Sequence, residues 1–234
     1  MLFKTKTINS LPTTSYNWPV VATLLFLTGI ASIPAMFSLI IIALGPSVAG
    51  EYSSFINSIH IAAPSAIFVH GGAGIIFFFT MPFQFSPRLR SNNLSRHKLA
   101  GQVAVISGCI MAISGIWMHN VLSPDSQGVR YGILIMTSLA ICISFIIAIY
   151  HVINGNIQKH QQWMARSVAI ILAAITALFI DILILLIFSD FEVVYKMLTQ
   201  FQYDYGRLFG IVINLVIVEI IITKKRSQYD VPIK

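Results

Sequence analysis

Residues 131–153 read YGILIMTSLAICISFIIAIYHVI, and this stretch decides the class of fold. It contains no Asp, Glu, Lys or Arg. A helix needs about 20 mostly apolar residues to cross a hydrocarbon core about 30 Å thick. Residues 131–153 are therefore predicted to form a transmembrane helix.

Five further stretches of the chain share this apolar character. The predicted spans are about 19–44, 55–83, 99–121, 131–153, 164–188 and 208–223. The first apolar run is too long for a signal peptide, whose apolar region has about 7–15 residues, so it is predicted to be an uncleaved span. We expect an all-α bundle of six helices over residues 19–223, between a tail at 1–18 and a basic tail at 224–234.

The composition excludes a soluble protein. Of 234 residues, 56% are hydrophobic and only 10% are charged, with a mean hydropathy of +0.82, whereas soluble domains carry about 25% charged residues. The net charge of +7 does not indicate nucleic-acid binding, because the basic residues lie between apolar stretches instead of forming one basic face. The predicted partner is the lipid bilayer.

The basic residues predict the orientation in the membrane. Twelve Lys and Arg fall on the side of the N-terminus: Lys4, Lys6, Arg88, Arg90, Arg96, Lys98, Lys159, Arg166, Lys224, Lys225, Arg226 and Lys234. Only Arg130, Lys196 and Arg207 fall on the other side. Because Lys and Arg accumulate in cytoplasmic loops, both termini are predicted to be cytoplasmic. The outer connector at 189–206 suits either a short amphipathic helix at the interface or a tether.

Ionisable residues within predicted spans are candidates for function, because burying them in lipid is costly. His70 lies roughly 21 Å and Asp181 roughly 22 Å from the inner boundary at the helical rise, so the two side chains are predicted to form a pair. A second cluster is predicted near the inner surface, with an ion pair between Arg166 and Glu219. The other members of this polar set are Gln84, His97, His151, His160 and Asn214.

Glycine recurs every seventh residue along the third predicted span, at Gly101, Gly108 and Gly115. Such a stripe lets another helix backbone approach closely. A flat cofactor lying along the same stripe is the alternative.

Several motifs resemble a bacterial family of predicted integral membrane proteins, domain of unknown function 2306, over roughly residues 55–223. They are HGGAG at 70–74, PFQF at 82–85, RLR at 88–90, RHKLAG at 96–101 and HQQWMARS at 160–167, together with Asn214 and Glu219. The resemblance implies a helical bundle in a bacterial inner membrane and implies no particular reaction. The chain departs from the family pattern at Lys98, where arginine is common, and at Asp181, near which the family tends to carry a basic residue.

Three functions are compatible with these residues. The first is a redox protein that binds b-type haem or quinone, with His97 and His160 as ligands near the cytoplasmic face and His70 and His151 as further candidates. Bis-histidine haem needs two imidazoles at matching depth on facing helices. His97 and His160 are predicted to lie at the same depth, near the inner face. The alternatives are a proton-coupled transporter of a small solute and an accessory or assembly subunit of a larger membrane complex.

Overall fold

The computed structural model of the chain describes residues 17–45 and 64–229, and in these ranges it contains helices and no strand. The predicted tails and the start of the second predicted span lie largely outside the described residues. The α-helices are α1 (Trp18–Leu44), α2 (Pro64–Thr80), α3 (Pro87–Asn92), α4 (Leu94–Leu122), α5 (Val129–Ile153), α6 (Ile157–Ile171), α7 (Ala173–Phe188) and α8 (Glu192–Tyr229). A short 3-10 helix, Pro82–Phe85, follows α2.

Side-chain caps fix where three of these helices begin. Asn93 Oδ1 accepts a hydrogen bond from the backbone N–H of Arg96 at 2.9 Å, and Asn156 Oδ1 accepts one from Lys159 at 3.1 Å. Ser86 caps α3 in the same way. Such caps satisfy N–H groups that have no partner within the helix. Gly155, with φ of +71°, allows the sharp turn between α5 and α6.

The helices pack around a core between α2, α4, α5 and α6. Helix α2 lies between α1 and α4, α4 packs on α5, and α5 packs on α6. Phe77 of α2 and Phe145 of α5 are fully buried at the centre, with their rings edge to face at 6.3 Å. Helix α8 is attached at one side, against α6, α7 and α5.

The prediction of an all-α polytopic membrane protein is confirmed. Within residues 17–45 and 64–229, five helices are long and apolar enough to cross a membrane, and a sixth span results if α6 and α7, which meet at a bend of 40°, are counted together. Large apolar side chains also cover the outside of the bundle, with Ile153 78% and Leu186 72% exposed. A soluble protein does not expose continuous apolar surface on this scale, so lipid covers these side chains.

The fifth predicted span contains a break at Leu172, where α6 ends and α7 begins. The prediction for the outer connector is wrong. The outer connector is neither a separate interfacial helix nor a tether, because α8 runs without interruption for 38 residues, from Glu192 to Tyr229. Its length is about 57 Å. The first half of α8 stays helical because it packs along α7, where Gln202 donates a hydrogen bond to the Ala177 carbonyl at 3.0 Å.

The topology sorts the basic residues into two groups. Arg88, Arg90, Arg96, Lys98, Lys159, Lys224 and Lys225 lie on α3, at the starts of α4 and α6, and near the end of α8. Those positions share one end of the bundle, called the basic end below. Arg130, at the start of α5, belongs to the opposite end, where α4 and α5 are joined by residues 123–128.

Candidate functional site

The predicted ion pair between Arg166 and Glu219 is present near the basic end. Arg166 donates from Nε to Glu219 Oε1 at 2.6 Å and from Nη2 to Oε2 at 3.1 Å. Its guanidinium carbon also lies 4.9 Å from the centre of the Trp163 ring. Two parallel hydrogen bonds and an aromatic face hold the guanidinium in one position. The pair joins α6 to α8.

Asn214 connects α8 to both sides of the break at Leu172. Its side-chain amide donates to the Ala169 carbonyl at 3.0 Å, and its Oδ1 accepts from the Thr176 hydroxyl at 2.9 Å. Ala169 is in the last turn of α6 and Thr176 is in the first turn of α7. Asn214 thus holds the bend in place.

His97 and His160 lie within electrostatic range of each other at the basic end. The Nδ1 of His160 is 2.9 Å from the Ala148 carbonyl oxygen, so Nδ1 carries the proton that it donates. In the neutral ring, Nε2 then holds a lone pair. His151 lies in the last turn of α5, and the centre of its ring is 5.5 Å from that of the Tyr150 ring.

The predicted pair of His70 and Asp181 is wrong. His70 faces α4, where its Nδ1 lies 2.9 Å from the Met111 carbonyl oxygen and 3.4 Å from the Ser114 hydroxyl. Asp181 is on the side of α7 that faces α5 and α8. In the described part of the chain, no hydrogen bond joins the two residues. Equal depth did not bring them together because they occupy faces that point to different neighbours.

The glycine stripe on α4 receives side chains. A Cβ added to Gly101 would lie 3.2 Å from Gln84 Oε1, and one added to Gly115 would lie 3.2 Å from the His70 ring. At Gly108 the neighbour within 2.9 Å is the Phe145 ring. The stripe therefore seats polar and aromatic side chains from α2, the 3-10 helix and α5, instead of another backbone or a flat cofactor.

A polar cavity of about 410 Å³ lies between α5, α7 and α8, in the half of the bundle away from the basic end. Its lining consists of Arg130, Ile133, Ala174, Ala177, Leu178, Asp181, Thr199, Gln202, Tyr203, Asp204 and Arg207. Four of these residues carry charge. Another cavity of about 460 Å³, between α2 and α4, has an almost wholly apolar lining and suits lipid chains.

Arg130 and Arg207 dominate the electrostatics of the polar cavity. The guanidinium carbon of Arg130 lies 4.1 Å above the centre of the Tyr203 ring, a cation–π arrangement. Arg207 is within electrostatic range of Arg130 and also of His70. Asp181 is within range of Arg130. In the described ranges, however, neither arginine makes an ion pair shorter than 4 Å.

Sequence reasoning did not identify this cavity. The sequence places Arg130 and Arg207 only on the outer side, because each lies just before a predicted span, at 131–153 and 208–223. One signal was available: Thr199, Gln202, Tyr203 and Arg207 recur at helical spacing. They therefore share one side of a helix.

No metal centre is indicated among residues 17–45 and 64–225. No three His, Cys, Asp or Glu side chains in those ranges are arranged to hold an ion.

Comparison with known proteins gives one match. Residues 67–222, more than half of the chain, match the model of the family described as predicted membrane protein, DUF2306. No curated protein and no solved structure matches the chain.

Proposed function

The chain belongs to the DUF2306 family of predicted membrane proteins, and we propose that it is a carrier that binds a small polar solute between α5, α7 and α8. The observation that supports this proposal is the open, charged cavity of about 410 Å³ between α5, α7 and α8. Charged side chains at membrane depth are costly and commonly mark solute or ion pathways. The volume is in the usual range for small-molecule sites, about 300–1,000 Å³.

A stripe of small and polar residues extends from the cavity toward the basic end. Gln202, Gly206, Gly210 and Asn214 follow one another at intervals of four on α8, and so lie on one side of the helix. Gln202 and Asn214 bond the backbones of α7 and α6, respectively. Glu219 continues the polar side to the basic end. This side of α8 is packed against α6 and α7, with no room for a Cβ at Gly210, so the proposal requires these helices to separate before a solute passes along the polar side.

The break at Leu172 supports movement along this route. Transporters commonly bind solutes beside discontinuous membrane helices. Here the bend of 40° lies between the cavity and the Arg166–Glu219 pair. It divides the span into two segments that Asn214 of α8 joins through hydrogen bonds to Ala169 and Thr176, so the proposed movement requires these bonds to break.

The experiment is solute counterflow in proteoliposomes, preceded by a thermal-stability screen of small anionic, cationic, zwitterionic and neutral solutes. We expect at least one class to stabilise the protein and to be exchanged across the membrane. Ala174→Trp, which fills the cavity, should abolish both effects. Leu139→Trp is the matched control, because Leu139 lies on α5 outside the cavity and is 56% exposed. If no solute class is exchanged by the unmodified protein, the carrier proposal is wrong.

We further infer that the protein lies in a bacterial inner membrane with its basic end in the cytoplasm, as the family resemblance and the positive-inside rule imply. Single cysteines at Asn156 and Asp125 test the orientation, with Cys109 and Cys142 replaced by Ala. A membrane-impermeant maleimide added to intact cells should label the cysteine at position 125 and leave the one at 156 unlabelled. The reverse pattern would contradict the inferred orientation.

A second candidate is a redox protein that binds b-type haem or quinone. The observation in its favour is that His97 and His160 are within electrostatic range of each other, and that the hydrogen bond from His160 Nδ1 to the Ala148 carbonyl leaves the lone pair on Nε2 in the neutral ring. A hydrogen bond from the other ring nitrogen to a carbonyl is typical of ligating histidines. Reduced-minus-oxidised spectra of the protein purified in mild detergent test this candidate. Bands that disappear in His160→Ala would support haem ligation, and a colourless preparation would exclude b-type haem.

A further inference from the structure

We propose that Arg130 and Arg207 bind an oxyanion, a carboxylate or phosphate group, in the cavity between α5, α7 and α8. The proposal deepens the proposed function, on which it rests, by naming the chemical class of the solute. The first supporting observation is that some cations of the described chain are paired with a carboxylate, whereas Arg207 is not.

Two of these cations are neutralised by a carboxylate within the fold. Arg166 makes two hydrogen bonds to Glu219, and Lys196 lies 2.6 Å from Glu192 Oε1. Arg207 has no such partner in residues 17–45 and 64–225, although it is only partly exposed. A charge removed from water is costly unless an opposite charge compensates it. Among the described residues, no carboxylate lies at ion-pair distance from Arg207, so its guanidinium can accept an external anion as its partner.

The carboxylates of the cavity do not meet this requirement. Asp204 Oδ2 accepts a hydrogen bond from the Gln200 side chain at 3.0 Å, one turn earlier on α8. Asp181 is within electrostatic range of Arg130 but makes no ion pair with it. Both guanidiniums thus line the cavity with donor groups that these carboxylates do not engage.

The donors in the cavity match the geometry of an oxyanion. A guanidinium presents two parallel N–H groups that fit the two oxygens of a carboxylate or phosphate. Arg130 is held in place over the Tyr203 ring. Arg207 lines the same cavity, so an oxyanion bound there is attracted by both guanidiniums. An ammonium group has only hydrogen-bond donors and therefore cannot accept from either guanidinium.

An oxyanion can come from a free solute or from a lipid headgroup. The experiment therefore uses purified protein in phosphatidylcholine nanodiscs. The affinities for inorganic phosphate and for succinate are measured at constant ionic strength, with chloride as reference. A second arm replaces a fraction of the phosphatidylcholine with phosphatidylglycerol and omits the soluble anions. Both arms record the thermal unfolding midpoint.

We expect phosphate or succinate to raise the unfolding midpoint of the unmodified protein, with an affinity about ten- to a hundred-fold weaker in Arg207→Gln. Arg130→Gln should weaken binding in the same direction. Lys196→Gln is the matched control, a cation of α8 outside the cavity whose removal should leave the affinity unchanged. If Arg207→Gln does not fold, Arg207→Lys keeps the charge but loses the paired donors, and should show weaker binding of the same anions.

The outcomes separate this inference from the carrier proposal. Equal anion affinity in Arg207→Gln and the unmodified protein would overturn the inference. Counterflow of a neutral or cationic solute, without any anion effect, would also overturn it and would leave the carrier proposal standing. Stabilisation by phosphatidylglycerol alone would identify the oxyanion as a lipid headgroup. In that case the anion site is supported, and carriage of a soluble anion fails.

Discussion

The basic end and the polar cavity each contain one arginine that differs from the other in its surroundings. Arg166 of α6 contacts α8 at the basic end, and Arg207 of α8 lines the cavity. At the basic end, Arg166 is joined to Glu219 by two hydrogen bonds and stacked near Trp163. In the cavity, Arg207 faces a second arginine and forms no ion pair with a described residue. The difference separates charges that stabilise the fold from charges available to a ligand. Three substitutions can break or sharpen this comparison.

The largest expected effect is that of removing the paired arginine. Arg166→Gln should lower the free energy of unfolding by about 3 kcal/mol, because the two charge-assisted hydrogen bonds to Glu219 are lost. Equilibrium unfolding in detergent measures this change. Glu192→Gln is the control: it breaks the exposed Lys196 pair and should cost at most about 0.5 kcal/mol. Equal effects of the two substitutions would show that the Arg166 pair has no special structural role.

A substitution at the contact between α8 and α7, which lies between the two regions, should lower the free energy of unfolding nearly as much. Gly210 lies against the Ala173 backbone, and a Cβ at this position would overlap the Ala173 carbonyl oxygen. Gly210→Ala should therefore separate α8 from the start of α7 and cost about 2 kcal/mol. Gly132→Ala, on α5, is the control because its Cβ would meet no atom within 4 Å. An unchanged unfolding midpoint for Gly210→Ala would mean that α7 and α8 do not pack this closely.

The smallest effect on stability, and the one of opposite sign, is expected in the cavity. Arg207→Leu should leave the free energy of unfolding unchanged or raise it by about 1 kcal/mol, because an uncompensated charge is removed. Functional sites commonly sacrifice stability in this way. The measurement is the same unfolding experiment, performed without added anions. A loss comparable with that of Arg166→Gln would reveal a structural partner for Arg207 and would end the contrast between the two regions.

Some of the site was predictable because its determinants are local or set by depth alone. Arg166 and Glu219 were predicted to pair from their shared position near the inner surface, and the structure contains the pair. The same reasoning failed for His70 and Asp181. Depth gives only one coordinate of a side chain, and the direction in which its helix face points depends on the neighbours of that helix.

The sequence by itself determined the membrane character, the number of apolar stretches and the grouping of the basic residues, because each depends on composition along one helix or loop. Only the tertiary structure decided where α6 gives way to α7, that α8 continues from Glu192 to Tyr229, and that Arg130 and Arg207 share a cavity. These features arise from contacts between residues far apart in the chain, such as Asn214 with Ala169 and Gln202 with Ala177. Apolar periodicity indicates which residues enter the bilayer, whereas packing between helices selects which side chains meet there.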